Sequence, residues 1–232
     1  MLAEMSETMR GIRRRVLGEL DKWSPDLRGA LAAHEAAEAV DEVLAATRER
    51  LGALLESTPD PGWSAAHMRA FTIGGMIYVA FYLALASRGY DAARAWELCD
   101  AATKTHFARM SGLERKLASD GMFGWPMRAL SRWAAKRSQT APVGGWVMRF
   151  VEGEPNGFDY GVDYERCAIR EMAVANGAAE LAPYICLADI AGSEAFGWGL
   201  ERKETLAQGG RRCDFRFRRG GETQVRVRLP VV

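Results

Sequence analysis

Little in this 232-residue chain announces a function at first reading. Only three histidines are present, and His34, in an Ala/Glu-rich helix, has no second ligand at a matching spacing. The four cysteines are too sparse for the disulfide framework of a secreted scaffold. Charge is balanced at 31 basic against 30 acidic residues, a formal net charge of +1, so no global field favours nucleic acid or a membrane. The stretch Phe71-Thr-Ile-Gly-Gly-Met-Ile-Tyr-Val-Ala-Phe-Tyr-Leu-Ala-Leu-Ala86 holds sixteen residues without a charge. A bilayer span needs about twenty, and Gly74-Gly75 suit close packing in a helical bundle, so this reads as a buried core helix. Glu4 and Glu7 stand where a leader would be basic, which makes a cytoplasmic protein the expectation. Neither a Gly-x-Gly-x-x-Gly turn in strand-to-helix context nor a P-loop occurs, and no cofactor is indicated. The absence of Gly-x-Ser-x-Gly and His-Glu-x-x-His removes two common hydrolase types.

What the first part of the chain has is helix. Met5, Met9, Ile12, Val16, Leu17 and Leu20 repeat at helical spacing over residues 3–22, with Arg13, Arg14 and Arg15 outward. Ser24-Pro25 is expected to stop this helix and a second to run over 26–55. Ser57-Thr-Pro-Asp-Pro-Gly62 is a loop, Ser64 a cap for the apolar helix, and Asp91 a cap for the next, which is expected to reach about residue 117. Cys99 and His106 lie two turns apart on that helix and share a face, which keeps His106 as a candidate while Cys99 reads as a small buried hydrophobe. A short helix over 126–137 follows, with Trp133 inward and Arg128, Arg132, Lys136 and Arg137 outward. It reads as a solvated face with aromatic anchors rather than a site for an anionic partner.

After Gly145 the pattern alternates. Strands are expected over 146–152 and 158–164, then a helix carrying Cys167 and ending at Asn176-Gly177, then one from Glu180 through Cys186 and Asp189. Three strands over 198–207, 211–218 and 223–229 close the chain, joined by Gln208-Gly-Gly210 and Arg219-Gly-Gly-Glu222. The fold class is α+β: an N-terminal helical region (1–140), then an antiparallel sheet with two helices (141–232), together one unit.

Three of the four cysteines fall in this last part, two of them near an aspartate. On a helix Cys186 and Asp189 are neighbours. On the strand, Cys213, Phe215 and Phe217 face one way and Asp214, Arg216 and Arg218 the other, so Cys213 and Asp214 should diverge. A thiol attacks only as thiolate and needs a nearby cation or base, which Arg202 or Asp189 supplies. Zinc on Cys167, Cys186, Cys213 and an aspartate is chemically conceivable, but no Cys-x-x-Cys or His pair gives the usual spacing, and no metal is expected.

The order Cys167, then Leu181-Ala-Pro-Tyr-Ile-Cys-Leu-Ala-Asp189, then Arg202-Lys-Glu-Thr-Leu-Ala-Gln-Gly-Gly-Arg-Arg-Cys-Asp-Phe215 resembles the L-2-amino-thiazoline-4-carboxylic acid hydrolase family. The resemblance spans roughly residues 65–218, its specific part 160–217. It implies a hydrolase opening a carbon-nitrogen bond of a small cyclic amidine or related heterocycle by cysteine nucleophilic catalysis. Cys186, Asp189, Cys213 and Cys167 are the implied catalytic residues. Asp214, Arg202, Thr205 and His106 are the substrate-side candidates, Arg202 as a bidentate clamp for a substrate carboxylate. The alternative is a non-catalytic ligand- or metal-binding protein using the same pocket. The expected partner is a small-molecule substrate, with no nucleic acid and no membrane, and homo-oligomerisation is left open.

Overall fold

The structure, a computed structural model, describes residues 7–58, 69–226 and 229. Helix α1 (Glu7–Ala32) runs straight through Pro25, against the expected stop there. Val16, Leu20, Leu27 and Leu31 form one buried stripe on both sides of the proline. Burying each is worth roughly 1.5–3 kcal/mol, which together outweighs the ~3 kcal/mol of an interior proline. The Ser24 hydroxyl donates to the Leu20 carbonyl at 2.8 Å. The turn falls at His34-Glu35, where Glu35 N–H returns to the Leu31 carbonyl at 3.0 Å, and α2 (Ala37–Ser57) starts later than expected.

Helix α3 (Arg69–Ala86) is the apolar helix, and Ile73, Met76, Ile77, Val79, Phe81 and Leu85 bury it in the core. Among the described residues no helix is long and apolar enough to cross a membrane. Ser64, its expected cap, lies outside the described residues. Asp91 caps α4 (Ala92–Arg109) as expected, accepting Arg94 N–H at 2.7 Å. That helix ends eight residues early because Ser111 and Glu114 exchange hydrogen bonds in a capping box that starts α5 (Gly112–Phe123). Helix α6 (Trp125–Ser138) follows from Gly124. Its inner stripe is Ser131, Ala134, Ala135 and Ser138, so Trp133, expected inward, is instead 46 % exposed.

The sheet comprises β1 (Val147–Glu152), β2 (Tyr160–Arg166), β3 (Leu200–Arg202), β4 (Cys213–Phe217) and β5 (Gln224–Val225), in the order β1-β2-β4-β3-β5. Its pairs are antiparallel except β3 with β5, and the fold is α+β. The three expected closing strands are shorter than predicted, and β4 and β5 are not neighbours. After Arg202 the chain leaves the sheet for a single turn at Leu206–Gln208, closed by Gly209 at φ +81°. That backbone angle is why a glycine stands there. One sheet face carries Met148, Phe150, Tyr160, Val162, Tyr164, Cys213, Phe215, Phe217 and Leu200. The other carries Asp163, fully buried beneath Arg149 (2.5 Å) and Arg216 (2.8 Å).

Between β2 and β3 lie three α-helices rather than two: α7 (Ala168–Ala175), α8 (Ala182–Ile185), preceded by a 3-10 turn at Ala179–Leu181, and α9 (Ala188–Phe196). Gly75 of α3 lets α7 approach, since a Cβ there would stand 2.7–2.9 Å from the Ile169 side chain. Gly75→Val should lower stability by about 1–3 kcal/mol in urea unfolding, with Ile169→Ala recovering much of the loss when the two are combined. Equal stability of Gly75→Val and the parent chain would refute this contact.

Candidate active site

Arg202, at the end of β3, is the centre of the site. Its side chain is 1 % exposed, and its guanidinium lies 4.9 Å from the centroid of the Phe215 ring. Nη1 donates to Asp189 Oδ2 at 2.5 Å and Nη2 to the Cys186 carbonyl at 2.7 Å. That carbonyl is available because the predicted single helix is broken. In a continuous α-helix it would receive Ile190 N–H. Instead Leu187 N–H returns to the Tyr184 carbonyl (2.8 Å) and Ile190 N–H to the Leu187 carbonyl (3.0 Å), which leaves the Cys186 oxygen to the arginine. The third donor, Nε, is buried and has no partner among the described residues.

Asp189 opens α9. One carboxylate oxygen takes the guanidinium, and the side chain keeps 29 % exposure. Burial pushes its carboxyl above the ordinary value, and the Arg202 charge and hydrogen bond oppose that shift. Cys186, three residues earlier, is partly exposed. Burial pushes its thiol up to about 12, with the nearby Arg202 cation working the other way and the Thr205 hydroxyl lying against the sulfur. The same hydroxyl donates to Gln208 Oε1 at 3.2 Å.

Cys213 faces the same interior from β4, where its Sγ accepts Leu206 N–H at 3.2 Å. Its thiol is pushed up to about 11 by burial, against that N–H and Arg202. Cys167 stands at the N-terminus of α7, and burial pushes its thiol up as well. Cys186 and Cys213 both lie near enough to Cys167 to act on its titration. The structure therefore brings Cys167, Cys186, Cys213, Asp189, Arg202 and Thr205 into one group. At neutral pH its sulfurs are thiols.

Asp214 lies on the other face of β4, as the strand alternation predicts. Its Oδ1 accepts Lys203 N–H (2.9 Å) and Glu204 N–H (2.8 Å), which shapes the path from Arg202 to Thr205. His106 is engaged elsewhere. Its Nδ1 is 3.0 Å from the buried Asp26 carboxylate, which Arg109 also reaches at 2.6 Å, and its ring stacks on Trp23 at 4.5 Å. Cys99 is fully buried in the helical core and forms no pair with His106.

Tyr164 joins the group without having been singled out by any motif. It stands directly opposite Cys213 on β2, and its ring meets Trp146 and Phe215 edge-on at 5.2 Å each. Alternation along β2 is a signal that the sequence carries, but the pairing of β2 with β4 is not. Among the described residues, no group of three or more His, Cys, Asp or Glu side chains is disposed to hold a metal ion. A cleft of about 220 Å³ between α1 and α3 is lined by Arg15, Glu19, Trp23, Ile73, Gly74 and Ile77, and none of the thiol group borders it.

The family model described as L-2-amino-thiazoline-4-carboxylic acid hydrolase matches residues 70–217. No curated protein and no solved structure matches the chain.

Because the thiols are shifted upward, the thiolate fraction of Cys186 still climbs about tenfold per pH unit well above pH 8.5, where an unperturbed cysteine levels off. Iodoacetamide labelling of native Cys186, followed by mass spectrometry from pH 7 to 10, should rise without a plateau, and Cys99 should stay unlabelled. A plateau below pH 9 would contradict the burial of the thiol.

Proposed function

The chain belongs to the L-2-amino-thiazoline-4-carboxylic acid hydrolase family, and on that premise we propose that it opens a carbon-nitrogen bond of a small cyclic amidine or related heterocycle, with Cys186 as nucleophile and Asp189 as the proton carrier. The observation that carries this is a partly exposed cysteine three residues from a carboxylate that keeps 29 % exposure while a buried arginine holds one of its oxygens. Cys186 is preferred over Cys213, which is nearly closed off at 5 % exposure, and over Cys167, which stands at the start of α7 rather than three residues from Asp189.

In this reading the Cys186 thiol gives its proton to Asp189, and the sulfur pair forms a bond to the amidine carbon. The C=N pair moves onto nitrogen. The ring nitrogen takes that proton from Asp189 and a second from the exocyclic amino group. It leaves as an amine with the electrons of the carbon-nitrogen bond while the amino nitrogen's pair forms C=NH, so the carbon stays on Cys186 as a thioimidate. Water then adds to that carbon, one of its protons passing through Asp189 to the imine nitrogen. The second passes through Asp189 to Cys186 as the carbonyl forms and the sulfur-carbon bond breaks, which restores the thiol. A carboxyl raised by burial suits both steps, since it is a stronger base than an ordinary carboxylate. Arg202 becomes a positioning residue rather than the clamp for a substrate carboxylate expected from the resemblance, because both of its terminal nitrogens are already committed. Asp214 likewise acts on the loop and not on substrate. Four free cysteines fit a reducing, cytoplasmic setting.

A second reading, binding without turnover, is favoured by one observation: every thiol of the group is shifted toward its unreactive form. One experiment separates the two. With 2-amino-thiazoline-4-carboxylate and related cyclic amidines, Cys186→Ser and Asp189→Asn should each lower kcat/KM by on the order of a hundredfold, and Cys213→Ser by less than about tenfold. If no replacement falls below about a tenth of the parent activity, the catalytic assignment fails. A parent chain that never turns over a substrate, yet is protected by it from Cys186 alkylation, supports the binding reading.

The positioning role of Arg202 has its own readout. Removing the cation removes the effect that opposes the upward shift of Asp189. In Arg202→Gln the acid limb of the kcat/KM pH profile should therefore move to higher pH, and an unmoved limb would leave Arg202 with a packing role only.

A further inference from the structure

Six of the eight exposed large hydrophobic side chains among the described residues fall between Leu113 and Val143, on α5, α6 and the turn that follows. Trp125 is 80 % exposed and Trp133 46 %, a placement that burial in a core cannot explain. The two are eight residues apart on α6, about two helical turns or 12 Å along the axis, and Leu130 shares their side of the helix. Helix α6 contains four basic residues and no acidic one, and residues 111–143 contain six basic against two acidic in a chain whose net charge is only +1. Arg128 and Arg132 are answered by Asp159 and Glu152, and Lys116 by Asp120. Lys136 has no acidic partner among the described residues, and neither does Arg137, which sits 5.9 Å from the Trp133 ring centroid. Both lie on the arc of α6 that bears the tryptophans.

We propose that the outer face of α6 docks the protein on an anionic lipid surface, the tryptophans entering the headgroup layer and Lys136 and Arg137 meeting the lipid phosphates. The chemistry fits each half of that contact. Tryptophan prefers the water-hydrocarbon boundary, and cations interleaved with aromatics on one helix face are the composition of helices that lie in that boundary. A second copy of the chain fits less well, because two-fold pairing through this patch would set the same unpaired cations against each other. The contact needs no membrane-crossing helix, and it is independent of the thiol site.

The full-length chain should co-sediment with vesicles containing phosphatidylglycerol at least about tenfold more than with pure phosphatidylcholine vesicles, and raised salt should weaken the binding. Trp125→Ala and the pair Lys136→Glu with Arg137→Glu should each abolish the difference, and hydrolytic activity should be unchanged in both. Because Trp125 is so exposed, its replacement leaves folding intact, which thermal unfolding checks. The proposal is overturned if the parent chain ignores phosphatidylglycerol vesicles, or if it binds them equally well with the variants. It is also overturned if light scattering shows a dimer that Trp125→Ala dissolves, since the face would then be a protein interface.

Discussion

A guanidinium without water around it must be answered by protein groups, and the C-terminal half of this chain is arranged to answer Arg202. An unpaired buried charge costs several kcal/mol. The Asp189 carboxylate and the Cys186 carbonyl meet it together, while the Phe215 ring lies against it. Each of these groups belongs to a different element from the arginine. Satisfying one side chain thus fixes β3 against the junction of α8 and α9, and β4 against both. The break in the helix at Cys186 follows from the same demand: the carbonyl that a regular helix would have consumed is the one the arginine uses.

The sulfur chemistry depends on this arrangement in two opposing ways. Closing the site raises every thiol, which protects it and slows it. The one cation inside that closure works against the rise, because Arg202 acts on Cys186 and Cys213. Asp189 stands between these tendencies. The arginine holds one of its oxygens in place, and the side chain still keeps 29 % exposure.

Much of this is legible in periodicity alone. The apolar α3, the Asp91 cap and the opposed faces of Cys213 and Asp214 all follow from local rules that the fold obeys. Departures arise where one local rule is outweighed by packing or by another local rule. Pro25 is outweighed by the leucines on both sides of it, and the Ser111-Glu114 capping box divides a pattern that hydrophobic spacing alone would continue. The candidate residues are legible as a set of types, since the signature positions include Cys186 and Asp189, with Arg202 only an imperfect match to it. Their geometry is not, because it turns on a backbone carbonyl, and a carbonyl leaves no mark in a sequence. His106 shows the converse: its spacing from Cys99 is suggestive, but a buried aspartate on α1, eighty residues away, claims it.

The use of that carbonyl has a consequence for how such a site changes over evolutionary time. Arg202 holds the backbone of residue 186 and not its side chain, so the cradle does not depend on which atom residue 186 presents to a ligand. Architecture and reactivity are separable at this position. A lineage can exchange sulfur for oxygen or a methyl group there and keep the buried ion pair and the fold, so that the chemistry presented at residue 186 changes in a single codon while the scaffold stays.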